Sequence, residues 1–132
     1  LNVAKTNAKL HQVENKINFI NIDIDKYKSY NYDLIISNPP YINSIAFNRL
    51  DEDIKLHEPK IALSGGLDGF RDIKKVIAVS KKLLKLNGKL IIEIGNKQKN
   101  QSVRILNENG YYVNKISKDL SGKDRCIIST KL

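Results

Sequence analysis

Methionine and tryptophan are absent from the 132 residues, and cysteine occurs once. A single cysteine excludes an intrachain disulfide framework and fits a reducing, cytoplasmic setting. Cys126 lies in the apolar run Cys126-Ile127-Ile128 with no His or Asp motif around it, and reads as a small buried hydrophobe. No apolar run approaches the roughly 18 residues that a membrane span needs, and the first residues carry no signal-peptide pattern. His11 and His57 lack metal-ligand spacing, so no metal is expected. Position 1 is not methionine, and Leu1-Asn2-Val3-Ala4 reads as the inside of a helix with no cap before it. The expectation is therefore that residues 1–132 are the back part of a longer protein.

Acidic residues are also in short supply: 23 Lys and Arg against 14 Asp and Glu leave a formal charge of +9. Such an excess can serve an anionic partner. The lysines, however, are scattered in singles and short pairs, and no aromatics are interleaved to make a stacking platform. Lys, Asn and Ile are all encoded by A/T-rich codons, so codon bias accounts for the excess without a nucleic-acid partner.

What is present reads as one α/β domain. Residues 1–12 read as a helix end, with Leu1, Ala4 and Ala8 on one face. Lys16 to Ile24 alternates imperfectly and predicts a strand ending at Asp23. Asp33 to Ser37 is a short apolar strand of the kind buried on both faces of a parallel sheet. Residues 42–69 form a long irregular stretch, which in a compact domain is usually functional. Asp72 to Leu86 is the strongest amphipathic helix, ended by Asn87-Gly88. A strand over Lys89 to Ile94, a helix over Lys97 to Asn109 and strands over Tyr111 to Ile116 and Arg125 to Thr130 complete the chain. The order α-β-β-α-β-α-β-β implies a parallel sheet with an antiparallel closing strand.

The most informative residues are Asn38-Pro39-Pro40-Tyr41, directly after the apolar strand. Two prolines remove two backbone donors and stop the strand. They also hold Asn38 extended. A stiff loop at the carboxyl end of a strand, carrying one amide and one aromatic ring, sits where open α/β sheets bind ligands. Asn-Pro and Pro-Pro are equally ordinary turn signals, and a Tyr after a turn is often a packing residue. The downstream segments decide between these readings.

Five segments, in order, are Ile35-Ile36-Ser37-Asn38-Pro39-Pro40-Tyr41-Ile42, Glu58-Pro59, Ala62 through Phe70, Leu90 through Gly95 with Gln98, and Asp119 through Arg125. In this order and spacing the chain resembles the class I S-adenosylmethionine-dependent methyltransferases. More narrowly it resembles the PrmC/HemK release-factor glutamine methyltransferases. The resemblance covers essentially the whole chain. It implies a Rossmann-like, mostly parallel sheet whose first two strands are missing, so that residues 1–132 form the C-terminal portion of one catalytic domain. It also implies that the glycine-rich donor loop and the ribose-holding acid lie upstream of Leu1, that Asp23 and Ile24 flank the adenine of S-adenosylmethionine, and that Asn38 lies near its sulfonium. Asp23 could equally be a plain strand-end residue.

The implied activity is methyl transfer to a glutamine side-chain amide in the Gly-Gly-Gln loop of a peptide chain release factor, the protein partner. An amide nitrogen is a poor nucleophile and this motif holds no strong base. Positioning is the available device: Asn38 accepts one amide N–H through its side chain and Pro39 the other through its carbonyl, while Pro40 and Tyr41 pack on the amide. Glu58 either orients the loop or is a helix-end charge. Glu93 reads as a hydrogen-bonded structural carboxylate, and Asp119 with Arg125 as a turn-closing pair. Two rival readings remain. One is an adenine-N6 or other nucleic-acid amino methyltransferase, although no basic cluster marks nucleic acid as a direct substrate. The other is a truncated, non-catalytic fragment without donor binding. In that case the strand at 17–23 is displaced and Leu34–Ile36 becomes an exposed edge.

Overall fold

The computed structural model describes residues 1–132. Six helices, α1 (Asn2–Leu10), α2 (Ser44–Asn48), α3 (Glu52–His57), α4 (Lys60–Leu63), α5 (Arg71–Leu83) and α6 (Lys99–Glu108), accompany four strands, β1 (Tyr32–Ser37), β2 (Leu84–Glu93), β3 (Tyr111–Lys118) and β4 (Asp124–Lys131). The sheet order is β1-β2-β4-β3. β1 and β2 are parallel, joined across the sheet by the long connection that contains α5. β4 is antiparallel to both of its neighbours, β2 and β3. Three of the four strands therefore run the same way and the last strand opposes them, as the resemblance implies.

The core follows from the periodicity of α5 and α6. Ile73, Val76 and Ile77 of α5 and Ile105 and Leu106 of α6 meet Leu90, Ile92 and Ile127 of the sheet in one cluster with Phe70, Leu84, Ile94 and Tyr111. Successive strand residues point to opposite faces, so the helices cover the Leu90–Ile92–Ile127 face. Two buried hydroxyls are satisfied within this layer: Ser80 Oγ lies 2.8 Å from the Tyr111 hydroxyl, and Ser129 Oγ donates to the Leu90 carbonyl at 3.2 Å.

Several expectations are corrected. Residues 17–23 form no strand. They run between two single-turn 3-10 helices, Glu14–Lys16 and Ile24–Lys26, with Ile17, Ile20 and Ile22 exposed. Their imperfect alternation gives no continuous apolar face, and no neighbouring strand offers them a ladder. Helix α5 ends at Leu83 rather than Leu86, and β2 starts at once with Leu84. Asn87-Gly88 is not the helix stop: Asn87 (φ 63°) sits in an irregularity of β2, where pairing to β1 jumps from Tyr32–Leu84 to Leu34–Lys89. The stretch 42–69 is three short helices rather than irregular coil. Cys126 is only half-buried, because it lies on the uncovered face, paired in register with Glu93.

β1 is not buried on both faces as its apolar composition suggests, and the exposed edge expected for Leu34–Ile36 is present. β1 has a single neighbour, and Leu34 and Ile36 are 46% and 69% exposed. Both carboxyl ends of the parallel pair, Ser37 and Glu93, open on the same rim of the sheet.

Candidate functional site

The Asn38–Tyr41 loop leaves β1 at that rim. Pro39 is buried, Asn38 is exposed and Tyr41 is half-buried. The two prolines donate no backbone hydrogen bond, so the loop is held from its far end. Ile42 bridges Ser64 in parallel: the Ile42 N–H donates to the Leu63 carbonyl at 3.0 Å and the Gly65 N–H to the Ile42 carbonyl at 2.9 Å. The Tyr41 hydroxyl donates to Glu93 Oε1 at 2.9 Å. Burial and, second to it, this carboxylate hold the Tyr41 phenol above its ordinary pKa, so it remains a donor at neutral pH. The structural role expected for Glu93 is met.

Two cavities share the diproline as a wall. One, of about 100 Å³, is lined by Asn38, Pro39, Pro40, Tyr41, Ile42, Ala62 and Leu63. The other, of about 290 Å³, is lined by Asp23, Ile24, Ser37, Pro39, Pro40, Asp72, Lys75 and Val76. The structure therefore brings Asp23 and Ile24 beside Pro39 and Pro40 although residues 17–23 form no strand. What holds them is a salt bridge that pattern reading missed. Lys75 of α5 lies 2.8 Å from Asp23 Oδ1 and 2.7 Å from Asp25 Oδ2. The Lys75 bond, then the Asp25 N–H, hold the Asp23 carboxyl below its usual range. The two carboxylates push Lys75 up to about 12. The partners are 52 residues apart, so no local spacing could announce them.

The larger cavity offers one free acceptor and two apolar walls to a small molecule. The bonds from Lys75 and the Asp25 N–H both fall on Asp23 Oδ1, leaving Oδ2 for an amine donor. Ile24 and Val76 supply apolar walls, and the volume is near the lower end of small-molecule sites.

Other sequence-singled residues take structural places. Glu58 is the exposed residue that ends α3, a helix-end charge before Pro59. Asp119 pairs with Arg125 at 3.1 Å and accepts the Ser121 and Lys123 N–H groups, closing the β3–β4 turn.

A family model described as an RMKL-like methyltransferase domain matches residues 1–57. A protein of Clostridium botulinum named release factor glutamine methyltransferase is 38% identical over 98% of this chain and 47% of its own length. A bifunctional methyltransferase of Rickettsia bellii is 37% identical over 96% of this chain and 23% of its own length. The solved structure of the E. cuniculi Mtq2–Trm112 complex, described as responsible for methylation of the eRF1 translation termination factor, overlays with a TM-score of 0.49 at 19% identity, over 76% of this chain and 52% of that one. The chain spans between about a quarter and a half of the length of the curated relatives it matches.

Proposed function

From the kinship of this chain, along nearly its whole length, with the release factor glutamine methyltransferases, we propose that it forms the acceptor side of an S-adenosylmethionine-dependent protein-glutamine N5-methyltransferase acting on a peptide chain release factor. The observation that carries the reading is the diproline wall. A cavity of about 100 Å³ on one side has the scale of a carboxamide side chain, and the cavity with the free Asp23 oxygen lies on the other.

In this reading Asn38 Oδ1 and the Pro39 carbonyl each accept one N–H of the substrate amide. Fixing both hydrogens orients the nitrogen and raises the electron density it presents along the line of attack. Pro40 and Tyr41 bound the flat faces of the amide, and Ala62 and Leu63 line the far side of the cavity. Asp23 takes the adenine amine and Ile24 packs against the ring. S-adenosylmethionine, when bound, supplies an electrophilic methyl on a sulfonium. The oxygen acceptors of the loop suit the positive charge on that side, and the acidic proton of the methylated amide passes to solvent, to which Asn38 is exposed.

The test is methyl transfer from labelled S-adenosylmethionine to a synthetic Gly-Gly-Gln loop peptide by a protein carrying this chain together with a donor-binding half, run beside an adenine-containing oligonucleotide. Asn38→Ala is expected to reduce transfer to the peptide by roughly 100-fold or more, with the melting temperature unchanged. Asn38→Asp also fails, because it changes the local charge and places an anion where a neutral acceptor is needed. Undiminished activity in either variant refutes the acceptor role, and transfer to the oligonucleotide alone refutes the substrate class.

A further inference from the structure

Gln98 is 8% exposed and its carboxamide makes three hydrogen bonds to three separate segments. Its Oε1 accepts the Gly95 N–H at 2.8 Å. Its Nε2 donates to the Tyr41 carbonyl and to the Gly69 carbonyl, both at 3.1 Å. One amide thus ties the end of the Asn38–Tyr41 loop to the glycine-rich segment before α5 and to the chain leaving β2. The backbone is cleared for this contact. A Cβ at Gly69 would stand 2.6 Å from the Tyr41 carbonyl oxygen and 2.8 Å from Gln98 Nε2. One at Gly95 would stand 2.8 Å from Gln98 Oε1 and 2.9 Å from the Tyr41 ring.

We infer that Gln98 is a positioning residue: it sets the height of Tyr41, and through it the width of the amide cavity, without touching the substrate. The inference rests on the acceptor-pocket reading above and deepens it. Prolines at 39 and 40 stiffen the loop internally but give it no donor with which to anchor itself. The anchor must come from outside, and a primary amide is suited to it, since it offers two donors and an acceptor without charge. A carboxylate at 98 keeps the bond to Gly95 and turns the two donor contacts into oxygen–oxygen repulsions. A thioether of similar length keeps the volume and loses all three bonds. The helix is unaffected by either change, because it is the Gln98 main-chain carbonyl that accepts the Ser102 N–H.

The experiment uses the isotope-labelled full chain, its Gln98→Met and Gln98→Glu variants, and N-acetylglutamine amide as the probe, followed at the Asn38 backbone resonance. In both variants hydrogen exchange at the Ile42 and Gly65 amides is expected to quicken by about tenfold or more, as a local opening, while amides of the β2–β4 ladder keep their protection. The apparent affinity for the probe falls several-fold along with it. Unchanged exchange at Ile42 and Gly65, or exchange that quickens equally throughout the sheet, overturns the inference. A wild-type chain whose Asn38 resonance ignores the probe refutes the acceptor pocket instead, and the exchange data still decide whether Gln98 holds the loop.

Discussion

The Tyr41–Glu93 bond can be isolated by a single oxygen. Tyr41→Phe keeps the ring against Gly95 and deletes only the hydroxyl that donates to Glu93 at 2.9 Å. A hydrogen bond to a charged partner contributes about 1.5–3 kcal/mol. Both groups here are half-buried, so water competes and a loss of about 1–2 kcal/mol at pH 7 is expected. For a chain of this size that corresponds to a melting shift of about 4–8 °C. The pH dependence sharpens the test. Burial and Glu93 raise the folded-state pKa of Tyr41 above its value of 10.0 in the unfolded chain. The stabilisation is therefore fully present below pH 10 and is lost as pH rises through the folded value. Tyr111, also raised by burial, titrates in both proteins and cancels in the difference. Urea unfolding of the two proteins at pH 7 and at pH 11 should show a gap that narrows or reverses at the higher pH. Equal stability at pH 7, or a gap that persists undiminished at pH 11, refutes the reasoning.

Two further substitutions test the packing around the loop and the edge. Gly69→Ala combines a positive φ of 80° with a Cβ 2.6 Å from the Tyr41 carbonyl, whereas Gly122→Ala shares the positive φ (75°) in open space. The first should cost about 1–3 kcal/mol more than the second, by calorimetric melting, because strain and collision add; equal losses remove the case for close packing there. Ile36→Lys places a charge on the exposed edge strand and is expected to change stability by less than about 0.5 kcal/mol while reducing self-association at high concentration, read by sedimentation. A large loss of stability would mean that Ile36 has a packing partner.

The helical and hairpin parts of the fold were legible because their signals are local. The apolar stripe Ile73, Val76, Ile77 and Leu83 lies on α5 as its 3.6-residue period requires, and the turn chemistry of Asp119 through Arg125 places β3 and β4 to within two residues of expectation. Residues 17–23 were misread because strand formation is not local. Ile17, Ile20 and Ile22 have strand character, yet a strand exists only when a neighbour completes its ladder, and the sheet offers them none. The end of α5 was misread for a related reason. Leu84 is drawn into the sheet opposite Tyr32, and that pairing outweighs the helical preference of Lys85 and Leu86.

The site divides in the same way, between what a residue does by itself and what it does through partners. Asn38, Pro39, Pro40 and Tyr41 could be read from sequence because prolines impose their geometry wherever they occur. The groups that hold this loop and its surroundings in place are distant in the chain. Gln98 reaches Tyr41 across 57 positions, Glu93 across 52, and Lys75 reaches Asp23 across 52. Glu93 and Gln98 lie in a segment that carries the resemblance, but nothing local in the sequence says which distant groups these polar residues meet. A rigid loop alone fixes its internal angles but not its distance from anything else. Only the outside anchors convert stiffness into position, and the transfer proposed above, to a weak nucleophile, depends on position. Variants of those anchors should therefore reduce function ahead of stability, the reverse of what variants of Ile77 or Leu90 in the core should do.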